Sequence, residues 1–379
     1  MNHLVKGAEH PTPVGAVPIR RELNAVPTLQ AYAGGGRFRT TLCMRKKTRK
    51  LVGTAFLILS TVTCVHGQEL DAASRWATIA AYQSEVSPNV VYGVANGHEL
   101  KLDVVTAGPR SQVRPTLIYI HGGGWAGGSK EEYSWFPLPF VTRGMNLVNV
   151  EYRVSSVALA PAAVEDCRCA LRWIYQHSKE YGFDTTKLVV DGHSAGGHLS
   201  LMTGMLDAAA GFDDECPGKE DLHVAAIVNY FGITDVPDVL AGKNRQDWAV
   251  KWFGDLENRA ELAKRLSPMT HVRNGLPPII TIHGDLDPLV PYQQAVRLHE
   301  ALSHAGVPNQ LVTVPGAGHG SQFWKPEENL KAQKEIFDFL EKYGILSRDK
   351  LLGPASLESV TLLSFLNRER TIKTDWSRS

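Results

Sequence analysis

Net charge is nearly absent from this chain: 40 lysines and arginines stand against 39 aspartates and glutamates. No long basic stripe is present to neutralise a phosphate backbone, which excludes a nucleic-acid partner and leaves a small molecule. Long apolar runs are absent too. The most apolar stretch, residues 51–62, falls well short of the roughly 20 residues that cross a bilayer, so a permanent membrane anchor is not expected. Cysteine is scarce, five in all, and Cys167-x-Cys169 has no histidine spacing to match it, which excludes a zinc site. There is no internal repeat. What remains, 43% hydrophobic and 21% charged over 379 residues, is the composition of a globular protein with a full-sized core.

The N-terminal third carries one legible signal. Met44-Arg45-Lys46-Lys47-Thr48-Arg49-Lys50 is a basic segment, residues 51–62 an apolar core, and Val65-His66-Gly67 a small-residue cleavage site. That order reads as a secretory signal at 44–67, cut after Gly67, and predicts a secreted or periplasmic protein. Residues 1–43, with Gly34-Gly35-Gly36 and no sustained period, read as lying upstream of the true start or as disordered. A membrane-associated helix behind a disordered extension is the competing reading. Cys64 invites a lipoprotein reading, but Thr61-Val62-Thr63 does not fit the small-residue pattern lipidation prefers. Cleavage leaves Cys167, Cys169 and Cys216. The first two sit two apart on a predicted helix and point apart, so one of them, undetermined, is available to Cys216.

From about Glu99 short apolar runs alternate with helix-length segments. Strands are predicted at Leu100–Val105, Thr116–Ile120, Leu147–Val150, Leu188–Val190, Ala225–Tyr230, Pro278–Ile282 and Gln310–Val314. Helices are predicted at Ala162–Lys179, Ala195–Leu206, Tyr292–Ala305 and Glu327–Tyr343. Continuous Val, Ile and Leu in several strands indicate burial on both faces, hence an α/β fold with a mostly parallel sheet under helices on both sides. Residues 68–345 form this domain. The segment 232–276, rich in tryptophan and charge and too long for a connection, reads as a small helical lid. Residues 346–379 are an extension without assigned role.

Chemistry gathers at the strand ends. Gly192-His193-Ser194-Ala195-Gly196 turns a predicted strand into a helix, a geometry that strains the serine backbone and lifts its hydroxyl above the sheet. After an earlier strand comes His121-Gly122-Gly123-Gly124-Trp125. Three glycines in a row cost backbone entropy unless the chain must approach something closely. A tetrahedral oxyanion is such a thing: the amides of Gly123, Gly124 and Ala195 would converge on it, each donor contributing about 2.7 to 4 kcal/mol. His121 is read as a support for that loop. Neither His193, adjacent to the serine, nor His198, one helical turn on, can serve as its base. His319, on Pro315-Gly316-Ala317-Gly318-His319-Gly320 after the last strand, can. The same glycines imitate a dinucleotide fingerprint, but Ser321 occupies the third glycine position and no βαβ unit follows. The acid that orients the histidine comes from Asp285-Leu286-Asp287-Pro288, with Asp287 favoured and Asp285 in reserve. Trp125, Trp135, Phe231 and Trp248, with Tyr133, Phe136 and Trp252, are candidates for pocket walls.

With these elements in place, residues 95–343 resemble the α/β-hydrolase superfamily, and within it the hormone-sensitive-lipase-like and bacterial feruloyl-esterase-like carboxylesterases. The resemblance rests on the two glycine motifs, on Glu151-Tyr152-Arg153 followed by Pro161 to Asp166, and on the settings of Asp287 and His319. It implies Ser194 as nucleophile, His319 as base and Asp287 as orienting acid, with Gly123, Gly124 and Ala195 as oxyanion donors. It also implies a buried pairing of Arg153 with Asp166 or Glu165, and a serine esterase acting on a small-molecule ester with no metal or organic cofactor. His193 departs from the aspartate usual in the lipase-like branch and looks more like the feruloyl-esterase-like one. An amide hydrolase with the same triad and a non-catalytic hydrolase-fold binding protein are the other readings.

Overall fold

The computed structural model describes residues 84–347. The expected signal at 44–67, the segment ahead of it and the extension from residue 348 onward lie outside the described residues. An eight-stranded sheet forms the middle layer, in the order β1-β2-β4-β3-β5-β6-β7-β8. These strands are β1 Glu85–Ala95, β2 His98–Thr106, β3 Arg114–Ile120, β4 Asn146–Val150, β5 Phe183–His193, β6 Ala226–Tyr230, β7 Ile279–Gly284 and β8 Asn309–Val314. β1 pairs antiparallel with β2, and β2 with β4; every later pairing is parallel.

Alternation along each strand feeds two cores. In β3, Ile118 and Ile120 belong to one buried cluster while Leu117 and Tyr119 belong to the other. Successive side chains of a strand point to opposite faces, so a strand covered on both sides must be apolar throughout. One face is covered by α2 (Ala162–Gln176) and α4 (Ala195–Met205), the other by α9 (Pro326–Lys342), whose Ile336, Phe339 and Leu340 are buried. The remaining helices are α1 Leu138–Thr142, α3 Ser178–Tyr181, α5 Val236–Leu240, α6 Asp247–Phe253, α7 Arg259–Arg265 and α8 Tyr292–His304. Residues 232–276 thus carry the three short helices α5 to α7, and α6 sends Trp252 and Phe253 into the main core.

Three departures from the sequence reading have local causes. β1 was not foreseen: it is an edge strand with Pro88, a left-handed Asn89 (φ 55°) and two register shifts, so its apolar residues neither run on nor alternate cleanly. The helix expected over Ala162–Lys179 breaks at His177 into α2 and α3. α1, one turn and a half, is too short for periodicity to register.

Cys169 on α2 is the residue that bonds Cys216, and Cys167 is buried and free. Arg168 reinforces the same attachment, donating from Nε and Nη2 to the two carboxylate oxygens of Asp213, both at 2.7 Å. Arg153 pairs chiefly with Asp166, whose Oδ1 lies 2.7 Å from Nη2, with Glu165 Oε2 at the outer edge of ion-pair range, 3.9 Å away.

Candidate active site

β5 delivers Ser194 at its C-terminal end, and α4 begins at the next residue. Ser194 has φ 57° and ψ −118°, a left-handed conformation costly for a residue with a side chain. The turn is held by its own hydrogen bond, Ser194 N–H to the Tyr230 carbonyl at 2.9 Å. Glycine at 196 is a packing requirement: a Cβ there would sit 2.1 Å from the Ile120 carbonyl oxygen and 2.5 Å from that of His121. The helix therefore packs directly on the end of β3, which aims the serine at the loop leaving that strand.

His319 lies on the loop that follows β8. Its Nε2 is 2.9 Å from Ser194 Oγ and its Nδ1 is 2.7 Å from Asp287 Oδ2. A carboxylate only accepts, so Nδ1 carries the hydrogen and Nε2 accepts the serine O–H. The Asp287 side chain is fully shielded from solvent. Its Oδ1 accepts the amides of Leu289 and Val290 at 2.8 and 2.9 Å. Burial by itself raises the Asp287 carboxyl. Hydrogen bonds from His283 and then His319 outweigh it and hold the group well below the usual carboxylate range. Asp285, the reserve candidate, is employed elsewhere: its Oδ1 accepts the Gly316 amide at 2.6 Å and ties the acid loop to the histidine loop.

The glycine loop after β3 faces the same space. Gly123 (φ 115°) and Gly124 (φ 60°) both take conformations that side chains resist. Their amides, and that of Ala195 at the first position of α4, donate to no protein acceptor among the described residues. His121 supports this loop: its Nδ1–H donates to the Gly122 carbonyl at 2.7 Å and its ring stacks on Tyr152 at 4.2 Å.

Ser194, His319 and Gly122 to Gly124 open together into a cavity of about 280 Å³, walled by Tyr133, Phe136, His193, Phe231, Trp248, Leu289, Gly320 and Gln322. Of the expected wall residues, Phe231 and Trp248 line this cavity. Trp125 and Trp135 do not. Trp125 is fully buried behind the glycine loop, stacked on Trp252 with centroids 4.0 Å apart, and Trp135 stands half exposed, packed on Phe136. The turn at 131–137 explains the second case: Tyr133 and Phe136, three residues apart, face the cavity and Trp135 between them faces out. Leu289 and Gln322 were missed, since single apolar or amide residues in polar loops carry no sequence signal.

The two histidines flanking the serine have structural places. His193 stacks on Tyr230 at 4.2 Å, and its Nδ1 lies 3.2 Å from the Tyr119 hydroxyl. Burial, with the nearby His319 ring as a smaller cause, pushes it down to about 3, so the ring is neutral. His198 Nε2–H donates to the Leu266 carbonyl at 2.7 Å and so attaches α4 to the 232–276 segment.

A serine, a histidine and an aspartate in hydrogen-bond series on the strand-end loops of this sheet define an α/β-hydrolase. Among known families the BD-FAE model matches residues 102–302, more than half of the chain, and the chain belongs to that family. The model of TAP-like proteins matches residues 258–348. Esterase LipC of Mycobacterium tuberculosis is 29% identical over 214 residues, 54% of this chain and 53% of that protein. The chain spans about half the length of the curated relatives it matches. Among solved structures, esterase Est2 of Thermogutta terrifontis with propionate bound is 30% identical, with a TM-score of 0.59 over 70% of this chain and 97% of that one. The same esterase phosphorylated by paraoxon is 28% identical, with a TM-score of 0.58 over 70% and 95%. No described helix is long and apolar enough to cross a membrane.

Proposed function

We propose that this chain is a serine carboxylesterase that hydrolyses short-chain or aryl carboxylic esters through an acyl-enzyme. The observation that carries the proposal is the unbroken series from Ser194 Oγ through His319 to Asp287, opening into a closely walled cavity. His319 Nε2 takes the proton as Ser194 Oγ attacks the ester carbonyl, and Asp287 holds the imidazole in the tautomer that can accept it. The oxyanion is met by the amides of Gly123, Gly124 and Ala195. As the intermediate collapses, His319 gives its proton to the departing alkoxide. Water then repeats the sequence on the acyl-enzyme, returning the serine and releasing the acid.

The cavity, at about 280 Å³, lies at the lower end of ligand sites, which favours a short acyl or a single aryl group over a long lipid chain. The neighbour with propionate bound and the neighbour phosphorylated by paraoxon support a small acyl group and an attacking serine. We also propose export through the signal at 44–67. The Cys169–Cys216 bond supports it, because disulfides persist in oxidising compartments.

The test is hydrolysis of aryl esters with two- to sixteen-carbon acyl chains, and of methyl ferulate, by the wild-type protein and Ser194→Ala. Activity confined to the shorter or aryl substrates, falling by on the order of 10⁶-fold in the variant, is expected. A parent inert on every ester, or a variant that keeps its rate, overturns the assignment.

A further inference from the structure

β7 carries a histidine that the acyl-transfer scheme does not use. His283 is fully buried, and its Nε2 lies 3.1 Å from the Val290 carbonyl oxygen and 3.3 Å from Asp287 Oδ2. Both neighbours are acceptors, so Nε2 bears the hydrogen; its hydrogen bond runs to the Val290 carbonyl, with Asp287 Oδ2 beside it at 3.3 Å. Nδ1 has no hydrogen-bond partner. The ring is flanked edge-on by Tyr292 and Phe231, at 5.6 and 6.4 Å, which restricts its rotation.

An ionised carboxylate has about four lone-pair positions, and a buried one is costly unless they are filled. Two on Asp287 are taken by the Leu289 and Val290 amides on Oδ1, and a third by His319 on Oδ2. His283 is the group within reach of the fourth.

We propose that His283 is a positioning residue for the reaction: it holds Asp287 ionised and turned so that Oδ2 faces His319, and acts on the chemistry only through that carboxylate. The proposal rests on the reading of Ser194, His319 and Asp287 as the catalytic series. Donors to a buried anion contribute more than neutral hydrogen bonds, so loss of this one should lower kcat by on the order of ten- to a hundredfold. His283 does not line the cavity, so KM should stay within about twofold.

The experiment compares wild type, His283→Phe, His283→Gln, Asp287→Ala and the double variant Asp287→Ala/His283→Phe on p-nitrophenyl butyrate, with melting followed by circular dichroism. Phenylalanine keeps a planar ring, somewhat larger, and removes the donor; glutamine keeps a donor. The expected result is a loss of kcat in His283→Phe, substantial recovery in His283→Gln, and no further loss when His283→Phe is added to Asp287→Ala. A wild-type kcat in His283→Phe overturns the proposal. So does an equal loss in both backgrounds, which would mean that the histidine serves only the Val290 carbonyl. If His283→Phe fails to fold, His283→Gln must exceed His283→Ala by about tenfold in kcat, and equality overturns the proposal. A wild type inert to esters and unlabelled by paraoxon would instead bring down the catalytic series and this proposal with it.

Discussion

Substituting Gly124 by alanine tests the glycine loop at the point where geometry leaves least freedom. The residue has φ 60°, and a Cβ there would lie 2.9 Å from Trp248 Cβ and 3.0 Å from Cγ. Trp248 cannot easily withdraw. Its helix, α6, is anchored three ways: Trp252 stacks on Trp125, the Trp252 carbonyl accepts the Ala160 amide, and the Gln246 amide donates to the Val239 carbonyl. The left-handed backbone alone costs about 1–2 kcal/mol with a side chain present, a fall in Tm of roughly 2–8 °C for a domain of this size. The steric conflict moves the loop instead, and the amides of Gly123 and Gly124 move with it. Displacing one oxyanion donor costs about 2.7–4 kcal/mol, or 10²- to 10³-fold in kcat, with little change in KM. Gly127, four residues from Gly123, is the control: its φ is unexceptional and a Cβ there meets nothing within 4 Å. Steady-state kinetics on p-nitrophenyl butyrate should show Gly127→Ala near wild type and Gly124→Ala depressed. Adding Trp248→Ala removes the contacts with Cγ and Cδ2 but leaves the one with Cβ and the backbone strain, and should restore only part of the rate. If Gly124→Ala keeps kcat within about threefold of wild type, the loop does not supply the oxyanion donors.

Two further outcomes concern stability. The Cys169–Cys216 bond closes a separation of 47 residues, which in the chain-entropy account stabilises by about 4 kcal/mol; Cys169→Ser should lower Tm by roughly 8–16 °C in calorimetry, and a change under 2 °C would refute the loop's structural weight. Asp191, buried in β5 three residues before the serine, is pushed up to about 8 by burial, against roughly 3.9 in an unfolded chain. Between those values the folded state holds a proton that the unfolded state has released, so stability falls as pH rises from about 4 to 8 and levels off above. Urea titrations at pH 5 and pH 8 should show this slope in wild type and a flatter one in Asp191→Asn; parallel curves would refute it.

Much of this molecule is legible in its chain because the parallel strands are buried on both faces. Val, Ile and Leu then run without interruption, and each run ends at a loop whose glycines and charged residues stand out. Ser194, Asp287 and His319 could be picked out because strand ends are where such residues are exposed, and the fold brings the three into hydrogen-bond series. β1 escaped because an edge strand needs neither continuity nor clean alternation. Trp125 misled because an aromatic residue beside a glycine loop looks the same in sequence whether it faces the cavity or the core; only the backbone at φ 56° turns it inward. His283 carries no signal beyond its type, since its part depends on a turn that brings Asp287 back over β7.

Helix α6 joins two matters usually kept apart. Trp248 bounds the cavity beside Ser194, while Trp252, one turn further along, is stacked on the residue that closes the glycine loop. A lineage that enlarged the cavity by altering α6 would also disturb the platform behind the oxyanion donors. Appetite for new substrates and speed on old ones are inherited together here, and broadening one without dulling the other calls for paired changes at 248 and 125.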